Sequence, residues 1–386
     1  MSTRCSGRIA SLAGAGLALA GALDAGAAAQ EPIRIGSFLA VTGPAAFLGD
    51  PEKKTLELYV DKINAEGGVQ GQPLELVVYD TGMNAKDAVT FTKRLIEQDQ
   101  VDALIGGTTT GETMAVVQLV EEAGIPFISL AGASVIVDPV QKWVFKTPHT
   151  DRMAVEKVYE DMQKEGIAAI GLIGGSGGFD QSCLANAEEL AAEHGLEIKA
   201  RETYGAGDTD MTPQLTKIKN AGVDAVLFCG FGAASTIVTK NYAQLGIELP
   251  LYHNHGSCSK QFIGGAGAAA EGVRMPCAAL LVADQLPEDD PQKAVAKAYA
   301  ETYTEATGEE VSTFGGHAYD ALLLLTDAIE RAGGKDPAAV RDALEATDQL
   351  VGVDGIFTMS PADHMGLGLE SFKMLAVEGG DWKYLY

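Results

Sequence analysis

Basic residues are scarce in this chain. Its 386 residues carry 28 Lys and Arg against 53 Asp and Glu, a net charge of −25. No basic stripe offers a footprint for nucleic acid or an anionic membrane. Aromatic residues make up only 6% of the chain. No two of the five cysteines form a C-x-x-C pair, which argues against a structural zinc site. The glycine stretch Gly174-Gly175-Ser176-Gly177-Gly178 puts Asp180 where a dinucleotide fingerprint needs its third glycine. His253-x-His255 has no carboxylate cluster beside it to complete a metal site. Neither cofactor nor metal is therefore expected. Beyond residue 30 no uncharged run approaches the ~20 residues of a membrane span, and there is no low-complexity tract.

What is present begins with an address. Arg4 and Arg8 precede an uncharged run of Ala, Gly and Leu from Ile9 to Leu23, and Ala27-Ala28-Ala29 offers a cleavage site. Residues 1–29 read as a secretory signal peptide. Cys5 lies too early for a lipobox, so a soluble exported protein is expected. Export implies an oxidising compartment that permits disulfides. Cys258 and Cys277 are the better pair, since they flank one helix and the strand after it, and Cys229 reads as a small buried hydrophobe within an apolar strand.

From residue 31 the chain alternates. Ile33–Leu39 and Leu74–Tyr79 read as strands around a helix-period segment and the turn Gly67-Gly68-Val69-Gln70-Gly71, the opening βαβ unit of a parallel sheet. Further short apolar strands are expected at 103–105, 127–129, 144–146, 168–173, 197–203, 225–229, 251–253 and 273–276, as buried parallel strands should be. Helices are expected at 85–98, 113–123, 152–165, 181–194, 211–221, 233–245, 291–307, 313–332 and 337–346. The 46 glycines suit this many tight turns. The length exceeds what one core usually holds, so two lobes are expected. In such sheets ligands lie beyond the carboxyl ends of the strands.

Two segments carry a family resemblance. Thr42-Gly43-Pro44-Ala45-Ala46-Phe47-Leu48-Gly49-Asp50, and Ile63-Asn64-Ala65-Glu66-Gly67-Gly68-Val69-Gln70-Gly71 running on into Leu74–Asp80, resemble the leucine/isoleucine/valine-binding proteins. These are type I periplasmic solute receptors of ABC importers, and the likeness runs over the whole chain after the signal. It implies an α/β fold of two doubly wound parallel-sheet lobes joined by three crossovers around a central cleft. The N-terminal lobe would be 31–148 plus 280–355, and the C-terminal lobe 149–279 plus 356–386. Hinges would lie near Thr147-Pro148, Ala278–Leu281 and Val353–Ile356. The acidic charge favours a monomer, and the resemblance further implies a non-catalytic periplasmic binder that delivers its ligand to membrane permease subunits.

Candidate ligand residues follow from the loops. Thr108, Thr109 and Thr110 precede a helix, where free N–H groups and hydroxyls can cradle a carboxylate. Ser129-Leu130-Ala131-Gly132-Ala133-Ser134 resembles the family's Ser-Pro-Ala-Ala-Thr loop. There Ala131 and Ala133 would offer backbone and Ser134 a hydroxyl. Phe179 stands where the family has a tyrosine, and Phe231 matches a second aromatic position. Phe47 is a third, and Asp180 could meet an ammonium. His255, before Gly256, stands where amino-acid receptors of the family carry an acid. Imidazole is a poor partner for a cation. The expected ligand is therefore a small hydrophobic or aromatic carboxylate without an amine. The alternatives are a branched-chain amino acid, or a role presenting ligand to a membrane sensor.

Overall fold

The computed structural model describes residues 31–386. The expected signal peptide lies outside these residues. Five strands form the first sheet: β1 (Ile33–Leu39), β2 (Leu74–Asp80), β3 (Ala103–Gly106), β4 (Phe127–Ser129) and β5 (Val144–Lys146). All neighbours are parallel, in the order β2-β1-β3-β4-β5. The connecting helices are α1 (Ala46–Ala65), α2 (Ala85–Glu97) and α3 (Thr110–Ala123).

Side chains alternate across this sheet with a period of two. Ile35, Ile105, Ile128 and Phe145 face one core, and Phe38, Leu104, Phe127 and Val144 face the other. Both faces are covered, so the strands read as continuous apolar runs. α2 and α3 close one side through Leu95, Val116 and Val120.

A second α/β series follows: α4 (Asp151–Lys164), β6 (Ala169–Gly174), α5 (Gly178–Leu190), β7 (Glu197–Thr203), α6 (Thr212–Lys219), β8 (Ala225–Cys229), α7 (Ala233–Gln244), β9 (Leu251–His253), α8 (Lys260–Ala266) and β10 (Arg274–Ala278). The chain then returns to the first sheet with α9 (Pro291–Thr307), α10 (Thr313–Ala332) and α11 (Pro337–Glu345). α10 lies along α1, and Leu324, Leu325 and Ile329 join the core of that face. A small ladder, β11 (Leu350–Val351) with β12 (Ile356–Phe357), precedes β13 (Phe372–Glu378) and β14 (Asp381–Tyr384).

Two features depart from expectation. β13 and β14 were not foreseen, and they join the second sheet antiparallel, giving the order β14-β13-β10-β9-β8-β6-β7. Gly379 and Gly380, both at positive φ, make the tight hairpin between them. Phe357, Met359, Met365 and Leu367, expected in the C-terminal lobe, pack into the core of the first sheet instead. His364 donates from Nδ1 to the Val144 carbonyl, which ties this segment to β5. Burial of four apolar side chains outweighs their nearness in sequence to β13.

Two disulfides staple the second sheet. Cys258–Cys277 is present as expected. Cys229, expected as a free buried thiol, is instead bonded to Cys183 of α5. A disulfide sulfur packs as well as a thiol in an apolar strand, so apolar surroundings alone could not tell the two apart.

Candidate functional site

A cleft with room of about 50 Å³, partly open to solvent, lies where the carboxyl ends of both sheets converge. Its lining comes from the loop after each strand, as the open-sheet rule requires. Thr108, Thr109 and Thr110 follow β3, Leu130 and Gly132 follow β4, and Pro148 follows β5. Phe179 follows β6, Phe231 follows β8, and His255 and Gly256 follow β9. Leu48 of α1 and Phe314 and His317 of α10 complete it. Among the described residues, no carboxylate lines it.

The three threonines divide their labour. Thr108 accepts from the Ala40 N–H at 3.0 Å and donates to buried Glu52. Burial raises the Glu52 carboxyl well above its ordinary range, the Thr108 hydroxyl opposing and the Glu112 charge adding to the rise. Thr109 caps α3, and Glu112 returns a bond to its N–H at 3.1 Å, a reciprocal capping box. Both hydroxyls are thus already engaged. The Thr110 hydroxyl is buried and has no partner. Beside it are the N–H groups of Thr110 and Gly111, the first of the helix, which have no intrahelical acceptor.

The opposite wall is aromatic. The rings of Phe179 and Phe231 meet edge to face at 5.9 Å, and Phe179 meets His255 at 5.3 Å. Gly132 fits against this wall because it has no side chain. A Cβ there would lie 2.6 Å from His255 Nε2 and 2.9 Å from Phe179. Burial first, then the charges of Lys146 and His317, pushes the His255 imidazole well below its usual pKa, so it is neutral. His317 bonds Asp354 through Nδ1 at 2.7 Å. Burial, then Lys146, lowers His317 to about 3, and burial raises Asp354, so the two form a neutral hydrogen-bonded pair.

The structure thus brings together Thr108, Thr109, Thr110, Phe179, Phe231, His255 and Gly256 of the expected residues. Five others lie apart. Ala131 and Ala133 are buried in the core of the first sheet. Ser134 turns away: its N–H donates to Asp151 at 2.9 Å and its hydroxyl accepts from Asn186 at 3.1 Å. Asp180 folds back on its own helix, accepting from the Gly177 N–H, and burial pushes it up to about 7. Phe47 packs edge-on against Phe314 at 5.6 Å and is not among the lining residues. In their place stand Leu48, Leu130, Gly132, Pro148, Phe314 and His317. His317 had a legible signal: a lone imidazole after Gly315-Gly316, near the start of an apolar helix. His253 is satisfied in the core by Ser257 and Thr239, so it does not share the cleft with His255.

This cleft between two parallel-sheet units can be set beside known proteins. The periplasmic binding protein family model matches residues 32–376. The chain belongs to that family. Within it stands a leucine-, isoleucine-, valine-, threonine- and alanine-binding protein of Pseudomonas aeruginosa. It is 26% identical over 322 residues, covering 82% of this chain and 83% of the relative. An extracellular ligand-binding receptor from Rhodopseudomonas palustris superposes with a TM-score of 0.86 at 26% identity, over 92% of this chain and 100% of that one. The substrate-binding protein of a branched-chain amino-acid transporter from Streptococcus pneumoniae, solved with isoleucine, gives a TM-score of 0.80 at 26% identity, over 92% and 99%. The fold is that of the type I periplasmic binding proteins, and the chain is a solute-binding protein of the ABC-transporter type, not an enzyme.

Proposed function

We propose that this periplasmic binding protein captures a small hydrophobic or aromatic carboxylate that has no ammonium group, and hands it to membrane permease subunits. One observation carries the reading: the cleft has an unpartnered hydroxyl at a helix N-terminus for an anion, yet no carboxylate among the described residues lines it for a cation. Thr110 and the first N–H groups of α3 hold the ligand carboxylate. Phe179, Phe231, Phe314 and Leu48 enclose its apolar body. The neutral imidazole of His255 replaces the acid that an ammonium needs. Export by the N-terminal signal puts the protein in the periplasm, where its net negative charge favours a monomer. Ligand binds one lobe first, and the lobes close about the crossovers near 147–148, 278–281 and 353–356.

A second reading is a branched-chain amino-acid receptor, favoured by the printed names of the Pseudomonas and Streptococcus proteins. Calorimetric titration with leucine, benzoate and 3-phenylpropanoate separates the two. The proposal expects an acid to bind and leucine to bind at least tenfold more weakly. Tight leucine binding with no response to either acid would return the protein to the amino-acid class.

A further inference from the structure

Behind the cleft lies a second, smaller recess. It is lined by His149, His255, Cys258, Ala278, Thr313, His317 and Phe372, and it shares His255 and His317 with the main cleft. Its room of about 10 Å³ is near the minimum that one oxygen-sized group needs. Two buried nitrogens of its lining, His149 Nε2 and His255 Nδ1, have no hydrogen-bond partner. Both residues are more than nine-tenths buried. Unsatisfied buried polar atoms are rare and costly, and two of them on residues that line one small space imply an occupant.

Charge selects the occupant. Burial above all holds the His149 imidazole well below its usual pKa, so it is neutral. The backbone of Asp354 favours a proton on the other ring nitrogen, which leaves Nε2 as a bare acceptor. An ammonium would meet Lys146 nearby. A carboxylate, with two oxygens and a charge that is costly to bury, does not suit room for one oxygen-sized group. A neutral hydroxyl suits both nitrogens, donating to one and accepting from the other.

We propose that the recess is a specificity pocket for a hydroxyl carried on the ligand's end away from its carboxylate. The ligand class is then a hydroxylated hydrophobic or aromatic acid. This rests on the carboxylate reading of the main cleft, and the test keeps the two apart. Matched pairs are titrated calorimetrically: benzoate with 4-hydroxybenzoate, 3-phenylpropanoate with 3-(4-hydroxyphenyl)propanoate, and 4-methylpentanoate with its 5-hydroxy derivative. Binding of the unsubstituted acids tests the main cleft, and the difference within a pair tests the recess. At least one hydroxylated partner should bind about tenfold more tightly, the worth of one or two satisfied buried bonds.

His149→Phe removes the acceptor without touching the main cleft, and it keeps a ring to stack on Phe372, whose centroid lies 3.9 Å away. The variant should bind the unsubstituted acid as before and lose the tenfold gain. His149→Leu gives a second variant if the first does not fold; it also removes the acceptor and should lose the gain. No gain in any pair would overturn the proposal, leaving the recess to a water molecule. A gain that survives in His149→Phe would also overturn it.

Discussion

The two sheets meet at one cleft but are held and used differently. All four described cysteines lie on the second sheet's side, one disulfide in each of its cores. The first sheet has none and relies on α9, α10 and α11 returning to bury Leu324, Leu325, Ile329 and Leu344. The walls differ too. The first sheet presents hydroxyls and helix N–H groups, and the second presents Phe179, Phe231 and His255. One wall is suited to reading charge and the other shape. The anion-reading wall comes from backbone and short side chains, which hold their geometry without covalent staples. The shape-reading wall depends on the mutual placement of bulky rings on separate loops, where a cross-link between the supporting elements has most to offer.

The strongest way to break this contrast is to reduce the protein. Each disulfide should contribute ~2–4 kcal/mol, and the Cys183–Cys229 pair more, because it closes 46 residues against 19. Native-state hydrogen exchange with and without reductant should show protection falling in β6–β10 while β1–β4 hold. Equal loss in both sheets would show that they do not unfold separately.

Asp180 comes next. Its folded-state pKa of about 7 lies above the unfolded value, so the native state holds the extra proton between about pH 4 and 7. Stability from this group is therefore present below pH 4 and is lost as pH rises through 7. Asp180→Asn should stabilise the protein at pH 8 by roughly 3–4 kcal/mol at most, and by nothing near pH 3.5. Lys146, lowered to about 7 by burial, acts in the opposite sense between about pH 7 and 10. Melting temperatures of both proteins across pH 3.5–8 test the difference, and a constant offset would sink it.

Thr110 and Thr109 sharpen the comparison within one wall. Thr110→Ala should weaken acid binding by ~1–3 kcal/mol with little change in melting temperature. Thr109→Ala should cost ~1 kcal/mol of stability through the lost cap and act on binding only through it. Titration and thermal melts of both variants give the answer; identical behaviour would remove the distinction drawn between them. The smallest effect concerns selectivity. His255→Glu should shift preference from 4-methylpentanoate towards leucine by about tenfold, since a carboxylate can pair an ammonium but repels an anion. No shift would place His255 outside ligand recognition.

Much of the fold was legible because most strands are short, apolar runs bounded by turn residues, a local pattern that needs no partner to recognise. That pattern located β1 to β10 and the loops at their carboxyl ends, and with them seven of the cleft residues. The net charge, the absence of a C-x-x-C pair and the histidine in place of an acid at 255 were equally readable, since they need only the order of residues. Direction of side chains was not. Thr108, Thr109 and Thr110 are equivalent in sequence, and only packing against Glu52 and Glu112 leaves Thr110 with the free hydroxyl. Ser134 and Asp180 had suitable chemistry but spend it on Asn186, Asp151 and Gly177, close neighbours in space. His317 is far in sequence from the other cleft loops, and the return of α10 to the first sheet brings it there. The pairing of Cys183 with Cys229 and the antiparallel β13 likewise depend on contacts across 46 and roughly 100 residues. Local patterning sets which elements form, because it acts through backbone and burial preference. Which of several chemically equal groups meets the ligand is set by competition for partners, and those partners exist only in the folded chain.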